Sequence, residues 1–129
     1  MQNRIYLQLA IAVGGCVPIA AGGAGVFLGP ELLNTAANMN PDSHFRYLSG
    51  LLLGIGLCFW STIPHIQTEG TKFRILAFIV FVGGCGRLFS IVAAGIPSSG
   101  MLAALAMELG ATPLLCFWQW HMSDKAILR

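Results

Sequence analysis

The sequence predicts an all-α integral membrane protein, an antiparallel four-helix bundle that forms a single domain over residues 1–129. One reason is composition: hydrophobic residues make up 56% of the chain and charged residues only 9%, against roughly 25% charged residues in soluble domains. A soluble domain this small buries too little of its surface to hide so much apolar area. A bilayer covers that area.

The second reason is four long apolar segments, since a membrane-spanning helix needs about 20 mostly apolar residues. The predicted helices are residues 5–28, 44–63, 73–96 and 100–120. Irregular backbone in lipid would leave N–H and C=O groups without partners, so runs of this length are predicted as helices.

The first segment begins with a basic residue, as a secretory signal peptide does. Its apolar run of about 24 residues is longer than the roughly 7–15 residues of such signals, so it is predicted to remain as a helix. Residues 31–39 follow Pro30 and contain Leu32, Leu33, Ala36 and Ala37. They are predicted either as a short helix on the membrane surface or as an ordered loop.

The later helices have boundary signals. Asp42 and Ser43 precede the second helix, Pro64 ends it, and Thr71 is a capping residue for the third. Residues 97–100 (PSSG) are predicted as a tight turn between the third and fourth helices.

Basic residues predict the orientation, because short cytoplasmic loops carry an excess of lysine and arginine. If the N-terminus is cytoplasmic, only Arg46 lies near the outer surface. Five basic residues then lie on the cytoplasmic side: Arg4, Lys72, Arg74, Lys125 and Arg129. We therefore predict that both ends of the chain lie in the cytoplasm.

Small residues predict how the helices pack, because close approach of backbones drives helix association in lipid. The second helix is predicted to pack through a stripe that also turns Tyr47 inward. This stripe consists of Gly50, Gly54, Cys58 and Ser61. Similar surfaces are predicted on the first and third helices, at Gly14, Gly15, Pro18 and Gly22 and at Gly83, Gly84 and Gly86.

Two charged residues, Arg87 and Glu108, lie well inside apolar segments. Each costs roughly 2.5–3.5 kcal/mol at a helix centre, so each needs a partner or water. Both lie about 12–14 Å from the outer end of their helices at 1.5 Å per residue, which predicts an ion pair. Three roles remain open for it: fixing the helix register, binding a ligand or polar headgroup, or transferring protons or ions.

A second polar group lies at the outer start of the second helix. It includes His44, Arg46 and Tyr47. One interpretation is an interfacial belt with a helix cap. The other joins these residues to Arg87, Glu108 and Ser90, which shares a helix face with Arg87, in one outward-opening cavity.

No motif of a known catalytic site is present, so an enzyme is left open and is not favoured. We predict no cofactor and no metal site. His65 and His121 lie at helix ends without the partners that haem ligands need, and the four cysteines are predicted to pack as small apolar residues. The net charge of +2, with no basic run, argues against nucleic-acid binding.

The segments HFRYLSGLLLGIGL, GGCGRLFS and ALAMEL resemble a family of small bacterial membrane proteins known only as domain of unknown function 4345. The resemblance covers residues 42–119 and, more weakly, the first helix; FRYLSG is its most specific part. It implies a four-helix protein of the bacterial cytoplasmic (inner) membrane and supplies no activity. The residues that it assigns to the common pattern are Phe45, Arg46, Tyr47, Gly50, Arg87, Ser90 and Glu108.

Two hypotheses of function follow. The first is a binding or accessory module whose outer-leaflet cavity holds a lipid headgroup or a small amphipathic ligand, through Arg87, Glu108, Arg46, Tyr47, His44 and Ser90. The second is a small proton-coupled transporter in which Glu108 titrates. A structural subunit of a larger membrane complex is a third possibility, and a homo-oligomer is compatible with each.

Overall fold

The computed structural model describes residues 2–33 and 39–127, and these residues are almost entirely helical. The order is α1 (Gln2–Leu28), a 3₁₀ helix (Gly29–Leu33), α2 (Met39–Thr62), α3 (Gly70–Ala94), α4 (Ser99–Ala106), a π-helical turn (Met107–Ala111) and α5 (Thr112–Ile127). The last three elements follow one another without a break and are called the fourth helix below. The described residues contain four helices and no strand, which confirms the predicted all-α class.

Several helix ends differ from the predicted ones. Helix α2 begins at Met39 instead of residue 44. Pro41 lies in its first turn, where proline is tolerated because the N–H groups there have no acceptor within the helix. Helix α3 begins at Gly70, and Glu69 precedes it without a side-chain capping bond, so the predicted cap at Thr71 is wrong. Of the predicted surface segment, residues 34–38 lie outside the described residues.

Three of the described helical stretches are long and apolar enough to cross a membrane: Arg4–Glu31, Gly70–Ala94 and Ser99–Met122. Helix α2 is not among them, because its first turns contain Asp42, His44 and Arg46. A membrane crossing by α2 therefore stays a prediction, as does the cytoplasmic location of both ends.

The chain divides into two compact units, Gln8–Pro64 and a second made of Met1–Leu7 with His65–Arg129. In the first unit, α1 and α2 form an antiparallel pair. The backbones approach closely at Gly22, where a Cβ atom would lie 2.5 Å from the backbone nitrogen of Leu53 and 2.7 Å from the carbonyl oxygen of Ser49. Only glycine fits there without a shift of α2.

Side-chain hydrogen bonds join the other ends of the same two helices. The indole N–H of Trp60 donates to the carbonyl oxygen of Ala12 at 3.1 Å, and the amide of Gln8 donates to that of Ile63 at 2.7 Å. Glycine at position 15 leaves room for the Trp60 ring, which a Cβ would approach to 2.6 Å. These bonds fix the register of the pair at its Trp60 end.

The face of α2 that contacts α1 is centred beside the predicted glycine stripe. It passes through Ser49, which is 8% exposed, and through Leu53. Gly50 lies at its edge, where a Cβ would be 3.9 Å from Val26, whereas nothing lies within 4 Å of a Cβ built on Gly54. Tyr47 is 63% exposed, so the prediction that the stripe turns it inward is wrong. The contact face begins one residue before the predicted one, which rotates it by about 100°.

In the second unit, α3 and the fourth helix form another antiparallel pair. Phe73 and Ile66 are each 1% exposed and lie in its core. Gln119 is equally buried and donates from its side-chain nitrogen to the carbonyl oxygen of Ile66 at 3.1 Å. Of the three glycines predicted to pack on α3, only Gly84 lies against a neighbouring helix.

A substitution of Gly22 by alanine tests the close contact between α1 and α2. We expect a loss of about 1–3 kcal/mol in the free energy of unfolding, the usual cost of overpacking, because the new methyl group meets backbone atoms. Gly14→Ala is the matched control on the same helix, since its Cβ would meet nothing within 4 Å. Reversible unfolding in mixed micelles measures both; equal losses would contradict the close contact at Gly22.

Candidate ligand-binding site at Arg87

Arg87 of α3 and Glu108 of the fourth helix form an ion pair. The Nε atom of Arg87 lies 3.0 Å from Glu108 Oε1, to which it donates a hydrogen bond, and 3.0 Å from Oε2. The two side chains are 36% and 17% exposed. The ion pair predicted from matched depth is confirmed.

Gly84 allows this pair to form. It lies almost one turn before Arg87, and a Cβ there would be 2.7 Å from Leu109 Cδ2 and 3.0 Å from Glu108 Cβ. Without a side chain at position 84, the fourth helix approaches α3 closely enough for the Glu108 carboxylate to reach the guanidinium.

Glu108 belongs to the π-helical turn Met107–Ala111. The turn ends where the backbone N–H and the hydroxyl of Thr112 both donate to the carbonyl oxygen of Met107. Pro113 follows, and proline has no N–H for the carbonyl four residues earlier and clashes with it. Widening the helix before Pro113 relieves that conflict, and π turns are frequent at functional sites. The Thr-Pro pair inside a predicted helix was the available signal.

The guanidinium of Arg87 has hydrogen-bond donors that the ion pair does not use. One Nη1 hydrogen bond goes to the Met101 sulfur at 3.0 Å, and a thioether is a weak acceptor. Arginine has five N–H donors, and those beyond the Glu108 and Met101 bonds have no partner within residues 2–33 and 39–127. The pair therefore presents an unfilled, positively charged edge.

Arg87 lines a partly open pocket of about 240 Å³. The pocket is bounded by Arg87, Ser90, Ile91, Pro97, Met101 and Leu105. Apart from the guanidinium and the Ser90 hydroxyl, its walls are apolar. The volume is below the roughly 300–1,000 Å³ typical for drug-sized ligands, and it suits one polar head or a short chain.

Arg46 is engaged elsewhere, in the unit Gln8–Pro64. Its Nε lies 3.1 and 3.0 Å from the two oxygens of Asp42. Its Nη1 donates to the carbonyl oxygens of Val26 and Phe27 at 2.6 and 3.1 Å. These carbonyls belong to the last turn of α1, where acceptors lack helical partners and a positive charge is favourable.

The chain turn after α1 makes room for this cap. Gly29 has a φ of +67°, a conformation that favours glycine. A Cβ at position 29 would lie 2.5 Å from Arg46 Nη2 and 2.9 Å from Asp42 Oδ1. A helix cap in this polar group was predicted, but the cap that Arg46 makes on α1 was not.

His44 and Tyr47 are exposed. Neither side chain makes a hydrogen bond within the described part of the chain. A ligand-binding role for His44, Arg46 and Tyr47 beside Arg87 and Glu108 stays a prediction, whereas Ser90 lines the same pocket as Arg87.

Metal ligands do not converge in the described ranges, where no group of three or more His, Cys, Asp or Glu residues is placed to hold an ion. The cysteines at positions 16, 58, 85 and 116 are free thiols.

A family model described as "Domain of unknown function (DUF4345)" matches residues 6–119 of the chain. The match includes α1, which the sequence resemblance covered only weakly. Neither a curated protein nor a solved structure matches the chain.

Proposed function

The chain belongs to the DUF4345 family, whose description names no activity, and we propose that it is a multi-pass binding module of the bacterial cytoplasmic membrane. In this proposal the pocket at Arg87 takes the negatively charged head of an amphipathic ligand. The observation that carries the proposal is a guanidinium with unfilled donors in the wall of an apolar pocket.

The unused N–H donors of Arg87 favour an anion. Arginine recognises carboxylates and phosphates through two parallel N–H donors, and the free edge of Arg87 offers this geometry. Glu108 occupies only Nε, and the Met101 sulfur is weak enough as an acceptor for an anionic oxygen to replace it. The Ser90 hydroxyl adds a donor in the same pocket.

The surroundings of the pocket favour an apolar tail on the ligand. Phe89, Val92 and Ile96 are 73%, 82% and 81% exposed, beside the pocket residues of α3 and the turn that follows it. In a membrane these side chains lie against hydrocarbon. A ligand with its charged head in the small pocket and its apolar tail along this surface therefore has a suitable partner for each part. Ligand sites commonly combine a few placed polar groups with mostly apolar walls.

Titration calorimetry of the protein in maltoside micelles tests the proposal. We expect octanoate or octyl phosphate to bind and octyltrimethylammonium not to bind; the two anions separate a carboxylate ligand from a phosphate headgroup. The double variant Arg87→Leu with Glu108→Leu should weaken anion binding more than tenfold, while Arg74→Leu, an exposed arginine on the same helix, should not. Equal binding of the cation, or unchanged binding by the double variant, would overturn the proposal.

A second candidate, a small proton-coupled transporter, draws support from the position of Glu108. Its carboxylate is largely buried and belongs to a π turn, an irregularity common at functional sites. In proteoliposomes a carrier would move octanoate with protons and lose that coupling in Glu108→Gln. A binding module would show no net uptake in either form.

A further inference from the structure

The charge balance of the Arg87 pocket limits what an anionic ligand can do there. Arg87 and Glu108 together are neutral, so a second anion at the guanidinium gives the site a net charge of −1. Two carboxylates close together on one cation do not both stay ionised cheaply, and paired carboxylates commonly share one proton. An anion therefore enters this pocket at least cost together with a proton.

We propose that the ligand is a single-chain carboxylic acid, bound as its carboxylate together with one proton that it shares with Glu108. This inference rests on the binding function proposed above. The proton comes from water: the free site and the free carboxylate hold none, the complex holds one, and no covalent bond other than O–H forms or breaks. The bound site is then neutral.

The guanidinium has room for a carboxylate. The two oxygens of a carboxylate match the two remaining N–H directions of the guanidinium edge, since Glu108 accepts a hydrogen bond only from Nε. A carboxylate, unlike a phosphate, is the same kind of group as the Glu108 side chain, and paired carboxylates commonly share one proton. The pocket of about 240 Å³ holds such a head with the first few carbons of its chain.

Few other charges act on Glu108 from the elements packed against it. On α3 the nearest charged residue besides Arg87 is Arg74, which is 13 positions away, or about 20 Å along the helix. Helix α4 (Ser99–Ala106) contains no titratable side chain. Cys85 of α3 is exposed and Cys116 of α5 lies eight positions beyond Glu108. Ligand and Glu108 are thus the groups that can take the proton.

Calorimetry of octanoate binding, repeated in buffers of different ionisation enthalpy, counts the protons taken up. We expect about one proton per octanoate for the unchanged protein, and an affinity that falls about tenfold per pH unit between pH 6 and pH 8, because the complex holds one more proton than the free partners. Glu108→Gln should take up about none, show little pH dependence, and bind more tightly than the unchanged protein at pH 8.

The variant also controls for the detergent, since any proton that octanoate gains on entering a micelle is common to both proteins. Binding without proton uptake by the unchanged protein would overturn the inference and leave the proposed function standing. The same uptake by Glu108→Gln would overturn it as well. Failure of octanoate to bind at any pH would overturn the inference, and failure of both anions would overturn the proposed function. The count for the unchanged protein is decisive even if the variant does not fold.

Discussion

Glu108→Leu alone is expected to destabilise the protein more than Glu108→Leu combined with Arg87→Leu. Within the described residues, the single change leaves the Met101 sulfur as the only partner of the Arg87 guanidinium, in a segment apolar enough to cross a membrane. Removing one member of a buried pair costs about 3–5 kcal/mol, whereas replacing both with apolar residues is often neutral. The upper part of that range is a limit here, because the Arg87 side chain is 36% exposed.

Reversible unfolding in mixed micelles measures the three proteins: unchanged, single variant and double variant. The Arg87→Leu single variant completes the cycle, and its free energy separates the cost of an orphaned carboxylate from that of an orphaned guanidinium. A double variant less stable than Glu108→Leu would show that the two charges act independently, and it would remove the basis for a functional pair.

Arg46→Leu is expected to lower the free energy of unfolding. The substitution removes donors from two carbonyl oxygens in the last turn of α1 and from the Asp42 carboxylate. Hydrogen bonds that involve a charged group contribute more than neutral ones, while the Asp42 pair adds little as an i, i+4 contact. The loss is reduced because the Arg46 side chain is 41% exposed.

Two further variants sharpen this test. Arg46→Lys keeps the charge but not the planar fork that reaches Asp42 and the α1 carbonyls together, so an intermediate loss is expected. Arg74→Leu removes an exposed arginine that donates a long bond of 3.5 Å to the Thr71 hydroxyl, and it should cost little. If Arg46→Leu is as mild as Arg74→Leu, the cap does not hold α1 and α2 together.

The sequence was sufficient for the helices and for the ion pair. Long apolar runs define helices because lipid leaves the backbone no alternative. The turn after α3 is short, so the depths of Arg87 and Glu108 can both be counted from it. At a fixed rise per residue, the two counts place both charges at the same level. Ser90 followed from its position three residues after Arg87.

Interhelical detail could not be predicted in the same way. Glycines are frequent on several faces of α2. The side chains of α1 decide which of these faces packs, and residue spacing within α2 alone does not show that. Arg46 was assigned to the polar group of its own helix, because its capping partners, Val26 and Phe27, are about 20 positions away in sequence. The π turn was not predicted, because a regular helix was expected to continue through Pro113.

The π turn has a consequence for the fourth helix as a whole. Five residues per hydrogen-bonded loop where an α-helix has four means that one residue is in excess, and one residue corresponds to about 100° of rotation. Met101 nonetheless contacts Arg87, and Gln119 lies against Gly70, so both halves of the fourth helix face α3. Deleting one residue from the turn would rotate one of these halves away from α3.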